Sequence, residues 1–175
     1  MSPLLRALLA AALVVQPPPA DPLIQETAIA KVSEHVHVIS DRNVGLVPNV
    51  GIVVGTRATL VIDTGLGPRN GETVVRATNG VSRNAELYVV STHFHPEHAL
   101  GESAFPASAK LIRARAQQQD IDEFGLALAK TFASRSPLVA ELLKDAQFRQ
   151  ADIVFDQLLF HQMLHCVTLG TLSLS

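Results

Sequence analysis

Thr59-Leu60-Val61-Ile62-Asp63-Thr64-Gly65-Leu66-Gly67-Pro68 is the stretch at which the pattern of the chain changes. Its first four residues read as a strand, and the next six form a turn cluster closed by proline. Upstream lie strands only: Ala28 to Ile39 alternates through Val32, His35, His37 and Ile39, and Val50 to Val54 is a β-branched run followed by the turn Gly55-Thr56-Arg57-Ala58. Downstream, strand and helix alternate. Arg69 to Ala77 reads as a helix closed by Asn79-Gly80, Leu87 to Val90 as a buried strand, Glu97 to Phe105 as a short helix stopped by Pro106, and Ala109 to Ile112 as a strand. A long helix is expected over Ala114 to Ala133, and a second over Pro137 to Lys144 with Ser136 as its N-cap. Ile153-Val154-Phe155 returns to strand. A strand meander followed by βα units predicts an α/β fold, a sheet with helices on one or both faces.

Composition narrows the function. The chain has 175 residues, 14 Lys+Arg against 16 Asp+Glu, 47% hydrophobic and 17% charged residues. That balance describes one modest domain and argues against disorder or a repeat array. No surplus or run of Lys and Arg exists to release counterions from a phosphate backbone, so no nucleic-acid partner is expected. A small-molecule substrate is.

The two ends differ from the middle. Leu4 to Val15 is apolar apart from Arg6, and is followed by Gln16-Pro17-Pro18-Pro19-Ala20. This is too short to span a bilayer and suits a signal peptide over residues 1–20, cleaved near Ala20-Asp21, which predicts a periplasmic or secreted protein with no stable membrane insertion. Cys166 is the only cysteine, so no intrachain disulfide forms. All Lys, Arg, Asp and Glu residues precede Leu158, and residues 158–175 carry no charge. That tail reads as a truncated or frame-shifted end, or as a buried terminal strand pair, leaving residues 21–157 as the domain.

The residues that carry chemistry follow the Leu87 strand, in Ser91-Thr92-His93-Phe94-His95-Pro96-Glu97-His98. Three of the seven histidines fall there. At that histidine frequency an H-x-H-x-x-H pattern arises by chance in about one such chain in a hundred. In an extended segment residues i and i+2 face the same side, so His93 and His95 can face one ion. Pro96 disfavours helix at His95 yet suits a helix's first turn, which places Glu97 and His98 on that turn, aimed back over the strand end. Imidazole nitrogens with one carboxylate suit Zn²⁺; iron and manganese accept the same ligand types.

Thr92 to His98 resembles the H-x-H-x-D-H motif of the metallo-β-lactamase fold superfamily. Thr59 to Gly65 resembles that family's first motif, a strand ending in an aspartate and a glycine turn. Thr92 to Glu102 is also similar to exported members associated with quinoprotein and sulfur-compound oxidation. The resemblance implies half of a four-layer αββα sandwich with one or two zinc ions at an edge of the sheets. It implies that His93 and His95 bind a first metal, that Glu97 and His98 bind a second, and that Asp63 accepts hydrogen bonds from the metal loop and holds it in place. A metal-bound hydroxide would then hydrolyse an ester, thioester, amide, lactam, sulfate or phosphate bond, with Glu97 orienting it and taking its proton.

Glu97 stands where the family usually has Asp, and its extra methylene moves the carboxylate outward, which predicts a shifted or weaker second metal. The family's downstream His-Thr-x-Gly-type turn does not occur in the sequence, so a truncated hydrolase is the expected reading. Its alternatives are a non-catalytic metal-binding relic or interaction domain, and a mononuclear iron oxidase on the same scaffold. His161, His165 and Cys166 are substitute ligands at most. His35 and His37 are expected at the surface, satisfied or solvated, Arg113 and Arg115 as solvated charges, and Asp120, Asp122 and Glu123 as a helix surface.

Overall fold

The structure, a computed structural model, describes residues 20–156. The proposed leader and the uncharged tail lie outside the described residues.

Seven strands form one mixed sheet in sequence order: β1 (Ile29–Lys31), β2 (Val36–Ile39), β3 (Val50–Val54), β4 (Ala58–Ile62), β5 (Glu86–Val90), β6 (Lys110–Ala114) and β7 (Ile153–Phe155). β1 to β4 pair antiparallel, and β4 to β7 pair parallel. The change of direction falls after Ile62, where Asp63 takes φ 66°, Gly65 φ 88° and Gly67 φ 76°. Gly65 meets that need without a Cβ; one added there would stand 2.6 Å from Ile24 Cδ1 and 2.7 Å from Asn70 Cβ.

The helices are α1 (Gly67–Val81), α2 (Pro96–Ala99), α3 (Arg115–Asp120), α4 (Leu126–Ala133) and α5 (Pro137–Leu142). α1 touches α2 and α5, and α2 touches α4, so the helices form one layer. Val74 and Ala77 of α1 pack with Ile52, Val61, Val89 and Leu111 in one core. The strand register puts these four side chains on a single sheet face. A second core, Leu66, Leu100, Phe132, Val139, Leu142 and Leu143, joins the loop after β4 to the later helices. The described residues thus supply a helix layer and a sheet layer.

Several expectations shift in detail. Ala28 to Ile39 is a hairpin rather than one strand: Val32 N–H donates to the Val36 carbonyl at 2.9 Å and Val36 N–H to that of Ser33. α1 runs through Asn79-Gly80 to Val81, because those residues are helical and Ser82, with extended backbone, caps it. Ala114 belongs to β6, and the long helix begins at Arg115 and is interrupted by a π-turn at Ile121–Gly125. Ser136 caps α5, its Oγ accepting from Val139 N–H at 3.2 Å.

Arg113 corrects a sequence expectation. It is 1% exposed, not solvated, and its Nη2 donates to Glu102 Oε2 at 2.6 Å. Its Nη1 donates to Gln118 Oε1 and to the Arg149 carbonyl, both at 2.8 Å, while Arg149 N–H donates to Glu102 Oε1. Arg113 alternates with Ile112 and so faces the helix layer, where a charge survives only with its donors filled. Burial pushes the Glu102 carboxyl up, although Arg113 and Arg149 pull it down. Arg115 is exposed and pairs with Asp156 at 2.6 Å, and Asp122 and Glu123 are exposed as expected.

Candidate metal centre

β4 and β5 end side by side, with Ile62 opposite Val90, and the residues that follow each strand meet there. This is the carboxyl edge of a parallel pair, where ligands of open α/β sheets bind. Asp63 N–H donates to the Val90 carbonyl at 2.9 Å, Thr64 N–H to that of His98 at 2.8 Å, and Gly101 N–H to that of Gly65 at 2.8 Å. Three backbone bonds therefore stitch the Asp63 loop to the His93 loop. Residues 92–95 form a bend rather than an extended segment, and His95 is the residue before α2, with φ -61° and ψ 144°.

The bend gathers the imidazoles. His93 and His95 have ring centroids 4.6 Å apart, and His93 and His98 4.1 Å apart. Glu97 Oε1 lies 3.9 Å from His95 Nδ1, and Glu97 Oε2 is buried with no hydrogen-bond partner. Burial, then the neighbouring His98 and His95 rings, holds His93 below the ordinary imidazole range. An uncharged imidazole is the form that binds metal.

Asp63 sets which nitrogen each ring offers. It is 4% exposed; its Oδ1 accepts Thr92 N–H at 2.7 Å and its Oδ2 lies 3.0 Å from His98 Nδ1. A carboxylate only accepts, so His98 carries its proton on Nδ1 and keeps the Nε2 lone pair free. Thr92 Oγ1 stands 3.1 Å from both Asp63 oxygens and 3.1 Å from His93 Nδ1. Its one hydroxyl proton goes to the carboxylate, so it accepts from His93 Nδ1–H and leaves that ring's Nε2 free too. Thr92 was not among the residues singled out by sequence, although it stands next to one of them.

The residues present fit a metal in their chemistry: two Nε2 atoms are left as lone-pair donors, a third imidazole is adjacent, and a buried carboxylate oxygen lacks a partner. No three His, Cys, Asp or Glu side chains among the described residues stand in a chelating arrangement. Below the cluster, the Phe132 ring meets His95 with centroids 6.1 Å apart and carries the Arg135 guanidinium 3.7 Å over its face. No sequence signal tied Phe132 to this site, since α4 reaches it only through tertiary packing. His35 stands in the hairpin turn with Nδ1 3.1 Å from the Val54 carbonyl, and His37 lies on β2 with a buried Nδ1 that has no partner; neither joins the cluster. His161, His165 and Cys166 lie outside the described residues.

No protein-family model and no curated protein matches the chain. Solved structures do. The native FEZ-1 metallo-beta-lactamase from Legionella gormanii is similar with a TM-score of 0.53 at 14% identity, over 78% of this chain and 48% of that one. MEM-A1, a subclass B3 metallo-beta-lactamase from a soil metagenome library, gives a TM-score of 0.52 at 11% identity, over 79% of this chain and 48% of that one. A double mutant of the sec-alkyl sulfatase PisA1 gives 0.55 at 15% identity, over 74% of this chain and 24% of that one. The chain thus spans about half the length of the two lactamases and about a quarter of the sulfatase. The described residues, a mixed seven-stranded sheet with flanking helices, thus share part of the metallo-β-lactamase-type fold.

Proposed function

We propose that the chain is part of an exported, zinc-dependent hydrolase acting on a small molecule. The observation that carries this reading is the buried, unpartnered Glu97 Oε2 beside three clustered imidazoles, two of them fixed with Nε2 free. His93, His95, Glu97 and His98 would hold the metal. When bound, Zn²⁺ lowers the pKa of its water to about 7 and polarises the substrate's scissile oxygen. Glu97 orients the nucleophile and takes its proton, and Asp63 keeps His98, and through Thr92 also His93, in the tautomer that binds. A catalytic zinc uses three protein ligands and an open position, so a two-metal site needs ligands from outside the described residues.

A second reading is a metal-binding relic or interaction domain without turnover, since a catalytic two-metal site needs ligands beyond those of the His93 loop. Metal analysis of the purified protein tests both. One or two zinc ions per chain, lost in His93→Ala and in His95→Ala, with hydrolysis of thioester, lactam or sulfate ester probes, supports the hydrolase; zinc without turnover supports the second reading, and a single iron supports an oxidase. Export rests on residues 1–20, and a mature N-terminus near Asp21 by mass spectrometry is the expected result. Among the described residues no helix is long and apolar enough to cross a membrane.

A further inference from the structure

Phe132 connects the histidine cluster to a cation outside the proposed ligand set. Arg135 stands in the link between α4 and α5 and is exposed, yet its guanidinium is held: it lies 3.7 Å over the face of the Phe132 ring. That ring, 3% exposed, meets the His95 ring at 6.1 Å. The two contacts in series keep the cation within about 10 Å of His95. The backbone of the link is fixed as well, since Arg135 N–H donates to the Phe132 carbonyl at 3.0 Å and Ser136 caps α5. Arg76, Arg113, Arg115 and Arg149 each meet a carboxylate, whereas Arg135 meets none among the described residues. No acidic side chain elsewhere in the sequence supplies one, because every Asp and Glu lies between Asp21 and Asp156.

We propose that Arg135 anchors an oxyanion group, carboxylate or sulfate, of the small molecule whose scissile bond faces His93, His95 and His98. A guanidinium held over a ring keeps the N–H donors along its edge free, and that fork matches a two-oxygen acceptor. With the side chain already placed by Phe132, little further ordering is lost when the anion binds. The His95 side chain is 45% exposed, so a molecule that reaches Arg135 from solvent also reaches the cluster. Spacing sets the size: the anionic group and the reacting bond stand on the order of 10 Å apart, the span of a short acyl or alkyl chain. Covering Phe132 alone needs only an apolar side chain of that length, so charge and shape separate the two roles. The substrate class rests on the hydrolase reading, while the anion anchor is testable without turnover.

The test follows the Arg135 Nε–H and Ser136 backbone amide signals of the nitrogen-15-labelled full chain by NMR. The chain is titrated with sodium benzoate, sodium sulfate and the neutral benzamide, with chloride holding the ionic strength constant. Both anions are expected to move the signals saturably, and benzamide not at all. Read on Ser136, Arg135→Met, which still covers Phe132, should raise the dissociation constant about ten- to a hundredfold. Arg135→Lys keeps the charge without the fork and should raise it about three- to tenfold, and Arg83→Met, at an exposed arginine beyond α1, should leave it unchanged. Where the zinc-loaded chain hydrolyses thioesters, KM for a probe ending in a carboxylate should rise about tenfold in Arg135→Met relative to KM for its amide. Saturable binding at Arg135 without hydrolysis supports the anchor and counts against the hydrolase reading alone. No saturable shift, or an affinity that neither Arg135→Met nor Arg135→Lys weakens, overturns the anchor whether or not the chain hydrolyses.

Discussion

Asp63 occupies a backbone conformation that costs a non-glycine residue roughly 1–2 kcal/mol, and it is held there by the groups it organises. Glycine would relieve the strain but lose the hydrogen bonds to Thr92 and His98. Asp63→Asn keeps part of that bonding, so zinc affinity measured by titration calorimetry is expected to fall about 10- to 100-fold rather than vanish. Thr92→Val, which removes the hydroxyl between Asp63 and His93, should release His93 Nδ1; nitrogen-15 imidazole shifts would report a mixed tautomer at His93 and an unchanged one at His98. The metal-loop histidines were legible in sequence because their short spacing brings them together locally, and Asp63 because the strand, aspartate and glycine turn around it resembled a family motif. Thr92's part was not, since it depends on a strand that arrives from elsewhere in the chain.

Arg113 teaches the same lesson in reverse. Its neighbours in sequence suggested a solvated charge, but strand alternation turns it inward to meet Glu102 from the turn after α2. Arg113→Met alone should destabilise the fold by about 3–5 kcal/mol in denaturant titration, because it strands a buried carboxylate. Glu102→Met with Arg113→Met should recover most of that loss.

At the level of elements, α1 is pinned to the metal loop by close backbone approach. A Cβ on Gly71 would strike the Gly101 carbonyl, and one on Gly101 would strike that of Thr64. Gly71→Ala is therefore expected to cost about 1–3 kcal/mol, against the usual gain of alanine inside a helix. β7 is held at its start: Leu111 N–H donates to Asp152 Oδ2 and Asp152 N–H to the Leu111 carbonyl, both at 2.8 Å. The Leu111 hydrogen bond, with Lys110, holds the Asp152 carboxyl below the usual carboxylate range. Its contribution is thus present above the ordinary aspartate pKa of about 4 and is lost as pH falls through the lower folded value. Urea midpoints should fall more steeply in that acid range for the unmodified protein than for Asp152→Asn. The order of elements could be read from periodicity and turn residues, whereas the π-turn and the hairpin split could not, because five or six residues do not define a phase.

Among the described residues, the sheet lists its strands in the order of the sequence, and every hydrogen-bonded pair joins consecutive strands. None of these seven strands must wait for a partner from beyond its neighbours in sequence, so their closure costs grow only with the crossovers between them, the longest of which runs from Ala114 to Ile153. The antiparallel meander can form first and each later strand can add to the existing edge. A chain with this arrangement can fold in the direction in which it is synthesised, with β4 and β5, which frame the histidine cluster, joined before β7 has left the ribosome.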